Sequence, residues 1–585
     1  MGFLKQEVPV LDFDQWSAGT RSEKIRPMAR HWAEVGFGTP VVLHLFYVVK
    51  IGLYILGGAL FALATRGIDG WSNIGQWWTE PIVFQKVVLY TMLFEVIGLG
   101  CGFGPLNNRF YPPMGSILYW LRPNTIRLPP WPSRVPLTRG DNRSGVDIML
   151  YGSLLVMLVV ALFSDGAGPD PALGTEVGLL PAWQSCTVLM LLALCGLRDK
   201  VIFLAARGEV YAPFVAAFLF GGPNVLVAAK LACVVIWMGA ATSKLTKHFP
   251  FVVSTMMSNS PVIRPRAIKR AFFEHFPDDL RPGRLSRLVA HLSTAIEMLI
   301  PAVLFFSHGG WPTAVAAFVI ICFHLGILSA IPMGVPLEWN VFMIFCVLFL
   351  FVGHADIGLS DMTNPLPVIL FVVMAAIVVA GNLLPHKISF LPGMRYYAGN
   401  WDTTLWCITP SAEAKIAAGV VAIANMPAAQ LEKFYGSKEA AQIPIYMGYA
   451  FRGFNTHGRA LFTLAHRAMA FDNNDVDEDA YSVTDGERIC SMAIGWNFGD
   501  GHLHNEQLIA ALQRRCHFEP GEVRVVLLDA QPIHRQTQRY RLVDASTGEF
   551  ERGWLDVADM VVRQPWDDDV PVHVEGPRGP LPSGL

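Results

Sequence analysis

Charge is scarce in this chain: Asp, Glu, Lys and Arg make up 16% of its 585 residues, against about a quarter in ordinary soluble domains. The two signs nearly cancel, giving a net charge of -2 and a pI near 6.8. The basic excess of a phosphate-backbone binder is missing, so no nucleic-acid partner is expected. Cysteine is sparse and scattered. Cys101, Cys186, Cys195, Cys233, Cys322 and Cys346 fall in apolar runs, where a thiol acts as a small hydrophobe, and Cys407, Cys490 and Cys516 lie far apart. That spacing gives neither a disulfide framework nor a C-x-x-C pair, and no metal is expected. The first forty residues hold no short apolar core behind a charged start, so no cleavable signal is expected. No nucleophile elbow, Walker loop or dinucleotide fingerprint occurs in a strand-turn-helix setting, which sets aside the enzyme classes that depend on them.

What the chain has is apolar length. Hydrophobic residues are 52% of the total and the mean hydropathy is +0.39, values of a polytopic membrane protein. Apolar runs cover about 40–65, 81–105, 146–164, 179–197, 225–242, 285–306, 311–333, 336–352 and 365–385. Each approaches the ~20 residues that cross ~30 Å of hydrocarbon at ~1.5 Å per residue. A further run, 201–220, is interrupted by Arg207 and Glu209 and reads as a span, a re-entrant piece or an interfacial helix. The expected fold is therefore a polytopic α-helical membrane protein of nine or ten spans with a C-terminal soluble α+β domain. Its parts are an N-terminal cytoplasmic segment (1–38), a transmembrane helical domain (39–385), the soluble domain (386–564) and a disordered tail rich in proline, glycine and acid (565–585).

Basic residues orient such a protein. Arg21, Lys24, Arg26 and Arg30 precede the first run and place the N-terminus in the cytoplasm; the arginine-rich connection 107–147 faces the same way. If 201–220 crosses, the basic segment 244–287 and the soluble domain are cytoplasmic too, which the charge pattern slightly favours; if it does not cross, both lie outside. The location expected is a multi-pass position in the cell membrane, the inner membrane of a bacterium, with membrane lipids as partners.

Beyond residue 386, 412–426 and 507–515 read as helices, 523–530 and 538–543 as strands, and 544–549 as a turn into 550–556. His502 and His504 stand two apart, but a turn followed by a helix with Asn505 as its cap outweighs a metal pair. The acidic run Asp472 to Asp479 lacks the glycine of a calcium loop and reads as solvated. Met394 to Trp401 reads as an interfacial collar that seats the soluble domain or closes a pocket over the spans.

The stretch around which the chain is organised is Trp237 to Pro250, where a long apolar run ends in Lys244, Lys247 and His248. A lysine at a helix end either snorkels to the headgroups or, enclosed by other helices, becomes a base usable near neutral pH. Glu95, His291, Glu297 and His324 are the other ionisable groups in apolar runs that bear on this choice. Trp237, Gly239, Lys244 and Leu245, then His291 to Glu297 (H-L-S-T-A-I-E), Phe323-His324 and Gly334 to Asn340 (G-V-P-L-E-W-N), resemble in order and spacing the core of the vitamin K-dependent gamma-carboxylases and the wider bacterial horizontally transferred transmembrane family. The likeness covers about 226–352. Where carboxylases carry Asn-Asn-His, this chain reads Leu197-Arg198-Asp199-Lys200. The chain also resembles an uncharacterised family of actinobacterial membrane proteins.

The first resemblance implies a lipid-quinone-linked oxygenase or carboxylase. In it Lys244 is the base toward a reduced isoprenoid quinone, Glu297 or His324 orients the lysine, His324 and His291 position oxygen intermediates, and Trp237, Phe323 and Trp339 line the cofactor site. The contrasting expectation is a non-catalytic membrane scaffold or lipid-handling subunit whose soluble domain binds a partner protein, with these polar groups bonded to one another to fix helix packing.

Overall fold

The computed structural model describes residues 2–101, 115–330, 337–470 and 480–576. Gly334 to Pro336 of the bend motif, the acidic run Asp472 to Asp479 and the last nine residues of the expected tail lie outside the described residues.

Six described helices are long and apolar enough to cross a membrane: Val41–Leu63, Gly145–Phe163, Asn224–Ser243, Arg284–Phe306, Gly310–Leu328 and Leu366–Leu383. Nine or ten were expected, and the difference lies in four apolar runs that form shorter or broken helices. Pro81–Val96 stops at a turn where Gly98 takes φ +86°. Ala182–Arg198 ends because the Asp199 side chain caps a new helix, Lys200–Ala205, through the Val201 N–H. The ambiguous run 201–220 is split: Arg207 takes φ +51° between Lys200–Ala205 and Gly208–Ala217. Leu337–Cys346 continues as a π-helical segment, Val347–Gly353.

Asn224–Ser243 is the hub. Its apolar window is 89% buried, whereas the other five candidate spans bury 28–39% of theirs. A helix apolar on all sides finds protein on all sides. The peripheral helices instead turn large side chains outward, as Leu288, Leu292 and Leu299 do. Arg284–Phe306 faces inward with Ser286, Ala290, Thr294, Glu297 and Pro301, a stripe at helical spacing made of small and polar residues.

The two ends of the bundle differ. At one end short loops tie to each other: the Arg66 N–H donates to Asp165 (2.8 Å), Lys230 Nζ to the His354 carbonyl (2.7 Å) and Asn224 Nδ2 to Thr363 Oγ1 (2.6 Å). At the other end the soluble domain is docked by long-range hydrogen bonds. Tyr119 and Trp120 donate to the carbonyls of Ala493 (2.5 Å) and Ile494 (3.0 Å), Arg514 and Arg515 bind Asp141, and the Ile533 N–H donates to the Asn382 carbonyl (3.0 Å). The N-terminal segment joins the same layer. Arg21–Val35 starts at a Thr20/Glu23 capping box, and its buried Trp32 stacks on Phe451 with ring centroids 5.3 Å apart. The segment after Lys244 is also structured: Phe249–Asn259 is a buried helix beneath the soluble domain.

The soluble domain carries a six-stranded antiparallel sheet in the order Ser482–Asp485, Thr403–Ile408, Val523–Leu528, Thr537–Asp544, Gly548–Asp556, His573–Val574. Thr403–Ile408 and Val523–Leu528 are buried at every position, the polar Thr403, Thr404 and Arg524 included. The turn before Gly548 is set by Asp544 Oδ1, which accepts from the Ser546 (2.9 Å) and Thr547 (3.1 Å) N–H groups, with Gly548 at φ +95°. The tail expected from residue 565 is packed as far as Gly576: Trp566 and Val570 are buried, and His573–Val574 pairs with the sheet edge. Its composition is that of a flexible segment, but its two apolar side chains and one strand pairing hold this portion.

Candidate functional site

Lys244 stands at the C-terminal cap of the hub helix, where the helix dipole favours a cation. Only 6% of it is exposed. Its ammonium pairs with the buried Glu297 carboxylate and lies 5.1 and 5.8 Å from the ring centres of Phe249 and Phe323. Three elements besides its own enclose it, so it does not reach out as a snorkelling lysine does.

His324 lies in the same interior. The Trp237 indole N–H can only donate, and it meets His324 Nε2 at 3.0 Å, so that nitrogen accepts. The ring proton is therefore on Nδ1, which donates to Asn340 Oδ1 at 2.9 Å. The chain Trp237–His324–Asn340 fixes one neutral tautomer and one ring orientation. Trp339 packs edge-on against His324 (6.1 Å between centroids) and lies tilted against Tyr396 (5.3 Å).

The structure thus brings together Lys244, Glu297, Phe323, His324, Trp237 and Trp339. It leaves out His291, which sits on the exposed face of Arg284–Phe306. From His291 to Glu297 the helix turns through roughly 240° net, so one residue inside puts the other outside. Glu95 is buried elsewhere, accepting from the Cys101 N–H at 2.7 Å.

Three interior pairings escaped the sequence reading. Asn340 orients His324. Lys50, inside the first apolar run, pairs with Glu338 at 2.7 Å, and both are buried. Glu338, Trp339 and Asn340 are consecutive and all inward, a signal legible in G-V-P-L-E-W-N as polar residues opening an apolar helix. His248 bolts bundle to domain: its Nε2–H donates to Gln531 Oε1 (2.7 Å) and its Nδ1 accepts from the Thr456 hydroxyl. Leu197 to Lys200 serves as a strut: Asp199 accepts from Arg143 (2.7 Å), and Lys200 Nζ donates to the His502 carbonyl (2.5 Å).

His502 and His504 diverge. His502 Nε2 lies 3.1 Å from Asp402, while His504 Nδ1 meets the Thr404 hydroxyl at 2.7 Å, and Asn505 caps Glu506–Cys516. Burial lowers the His502 pKa, but the Asp402 carboxylate outweighs it and the net shift is upward. Burial without such a partner pushes His504 down to about 3. Among the described residues no group of three or more His, Cys, Asp or Glu side chains is placed to hold a metal ion.

The family described as "Transmembrane protein of unknown function (DUF3556)" matches residues 1–575. The chain belongs to this family. Among curated proteins and among solved structures, nothing matches it. Family membership and the apolar helices make it an integral membrane protein, and the interior polar cluster is a feature of that membrane fold.

Proposed function

We propose that the protein is a lipid-quinone-linked oxygenase or carboxylase-like enzyme whose proton-transfer site is the buried Lys244–Glu297 pair, with His324 as the positioning group. The observation that carries this reading is the enclosure of an amine, a carboxyl and a tautomer-fixed imidazole in one water-shielded interior. In such a pair a proton passes from ammonium to carboxylate without net charge leaving the site, giving an amine base and a carboxylic acid. The amine then takes a proton from a substrate hydroxyl, leaving Lys244 as ammonium beside the new oxyanion. Neutral His324 keeps its Nδ1 proton on Asn340.

A reduced isoprenoid quinone would supply the acidic hydroxyl and the electrons. The residues present suit its ring: Trp237, Phe323 and Trp339 give aromatic walls around His324. On this reading His291, exposed on the outer face, takes no part. Lys244→Ala in the purified protein should lower quinol turnover about a hundredfold or more. Unchanged turnover removes the base assignment, and absence of any quinone binding leaves the scaffold reading.

The reading includes an orientation. The N-terminal helix, the arginine-rich connection, the basic segment after Lys244 and the soluble domain share one end of the bundle. With the split 201–220 run counted as a crossing the passes number ten, and both termini are cytoplasmic, as the basic residues of that end favour. Single cysteines placed at Lys5 and Phe434, in a background lacking exposed Cys186 and Cys322, should both resist an impermeant maleimide added to whole cells and both react after lysis. Labelling of either in intact cells contradicts this orientation.

A further inference from the structure

A cavity of about 150 Å³ lies where the membrane bundle meets the soluble domain. The bundle contributes Trp339, Arg207 and Thr255, the collar contributes Arg395 to Tyr397 and Trp401, and the domain contributes Phe451, Arg452 and Phe498. Neither Lys244 nor Glu297 lines it. Cavities of about this size accommodate a single benzene ring.

Its walls are of two kinds. Aromatic faces surround it, and Arg207 is itself sandwiched between Tyr396 (5.5 Å) and Phe498 (5.2 Å) while paired with Glu209. The Glu487 carboxylate in the lining is already held by Arg452 at 3.0 Å, and the unpaired polar atoms are biased to one sense. Five lining residues carry a buried polar atom with no hydrogen-bond partner among the described residues: Trp339 Nε1, Trp401 Nε1, Tyr397 Oη, Arg395 Nε and Arg452 Nε. Four of these can only donate, and the fifth is a phenol that donates readily. Folded proteins leave few buried donors unpaired, and five around one cavity mark a place where acceptors are missing. Arg395 has the weakest set of existing partners, two carbonyls at 3.3 and 3.4 Å and Asp402 at 3.8 Å.

We infer that this junction cavity binds one planar aromatic or quinonoid ring bearing hydrogen-bond-accepting oxygens. Rings stack on the aromatic walls, and the oxygens meet the unpaired donors. The chemistry is shared by two sources, the headgroup of a membrane quinone and a water-soluble aromatic carboxylate. Trp339 separates the bound ring from His324, so the cavity is distinct from the proton-transfer site and stands without it.

Calorimetric titration of the purified full-length protein in lipid nanodiscs tests this with two probes, a short-tailed benzoquinone and benzoate. One of them is expected to bind at one cavity-dependent equivalent, counted apart from any ring held at the Lys244 site. Trp401→Phe, which keeps the ring and removes the N–H, should weaken it about tenfold, and Thr255→Phe, which fills the space, should abolish it. Binding of the quinone alone assigns the membrane source, and binding of benzoate alone the soluble one. Failure of both probes, or binding unchanged in folded Trp401→Phe and Thr255→Phe proteins, overturns the inference. Lys244→Ala should bind the ring as the unaltered protein does. In the unaltered protein, ring binding with no quinol turnover defeats the catalytic reading alone, and turnover without cavity-dependent binding defeats this inference alone.

Discussion

Glu297→Leu is expected to cost the folded protein about 3–5 kcal/mol, because it strands the Lys244 ammonium in a buried site with only two aromatic faces for company. Both partners are buried, and the hub helix that Lys244 caps packs against Arg284–Phe306, which carries Glu297. Removing both charges tests whether pairing is the cause. Lys244→Met combined with Glu297→Leu replaces the pair by apolar groups of similar length, and such exchanges are often neutral or stabilising. The double variant should regain most of the loss in denaturant unfolding followed in detergent. If Glu297→Leu unfolds at the unaltered midpoint, the carboxylate is not what holds the amine. If the double variant is as unstable as the single, the cost is one of shape rather than charge.

Acid is expected to loosen the soluble domain from the bundle. Burial pushes the His248 pKa down to about 4, against the opposing pull of its hydrogen bond to Gln531, and pushes His504 down to about 3. Both folded values lie below the unfolded value of 6.5. Their contribution is therefore fully present above pH 6.5 and is lost as pH falls, because only the unfolded chain takes up protons in that window. Down to pH 4 the loss is on the order of 3 kcal/mol for each histidine, at about 1.4 kcal/mol per pKa unit. His248 has the clearer consequence, since a protonated Nδ1 no longer accepts from Thr456. Limited proteolysis after residue 386 should accelerate between pH 6.5 and 4, and His248→Gln should flatten that dependence. A cleavage rate that is flat across this window in the unaltered protein contradicts the assignment. The raised pKa of His502 works in the other direction: its pairing with Asp402 contributes below pH 6.5 and fades as pH rises through the folded value.

How far the sequence revealed this arrangement depended on the range of the interaction. Lys244 was legible because a long apolar run ends on it, and His324 and Glu297 because an ionisable group in an apolar run needs a partner. The inward stripe of Arg284–Phe306 was legible too. Ser286, Ala290, Thr294 and Glu297 recur at three- and four-residue spacing, and applying that period to His291 excludes it from the interior. Val523–Leu528 and Thr537–Asp544 were legible as strands and Asn505 from its place before a helix, whereas Thr403–Ile408 was not read as a strand.

The rest depended on pairs distant in sequence. His248 meets Thr456 and Gln531 across separations of 208 and 283 residues, which no local pattern encodes. Lys50, inside the first apolar run, pairs with Glu338, which lies far along the chain. The run 201–220 was ambiguous because its break is a backbone event: Arg207 takes a left-handed conformation while its guanidinium is held by Glu209 and two aromatic rings. Hydropathy sees apolar length and cannot register such a break. This also separates the six long helices from the nine or ten runs that composition suggested.

Quinol turnover by the purified protein bears most directly on the central claim, that a shielded amine with a fixed imidazole beside it performs proton transfer. Three substitutions divide the possibilities, since Lys244 and His324 are interior while His291 faces outward. The account predicts turnover in the unaltered protein, a loss of about a hundredfold or more in Lys244→Ala and His324→Gln, and an unaltered rate in His291→Gln. Equal rates in Lys244→Ala and the unaltered protein would contradict it.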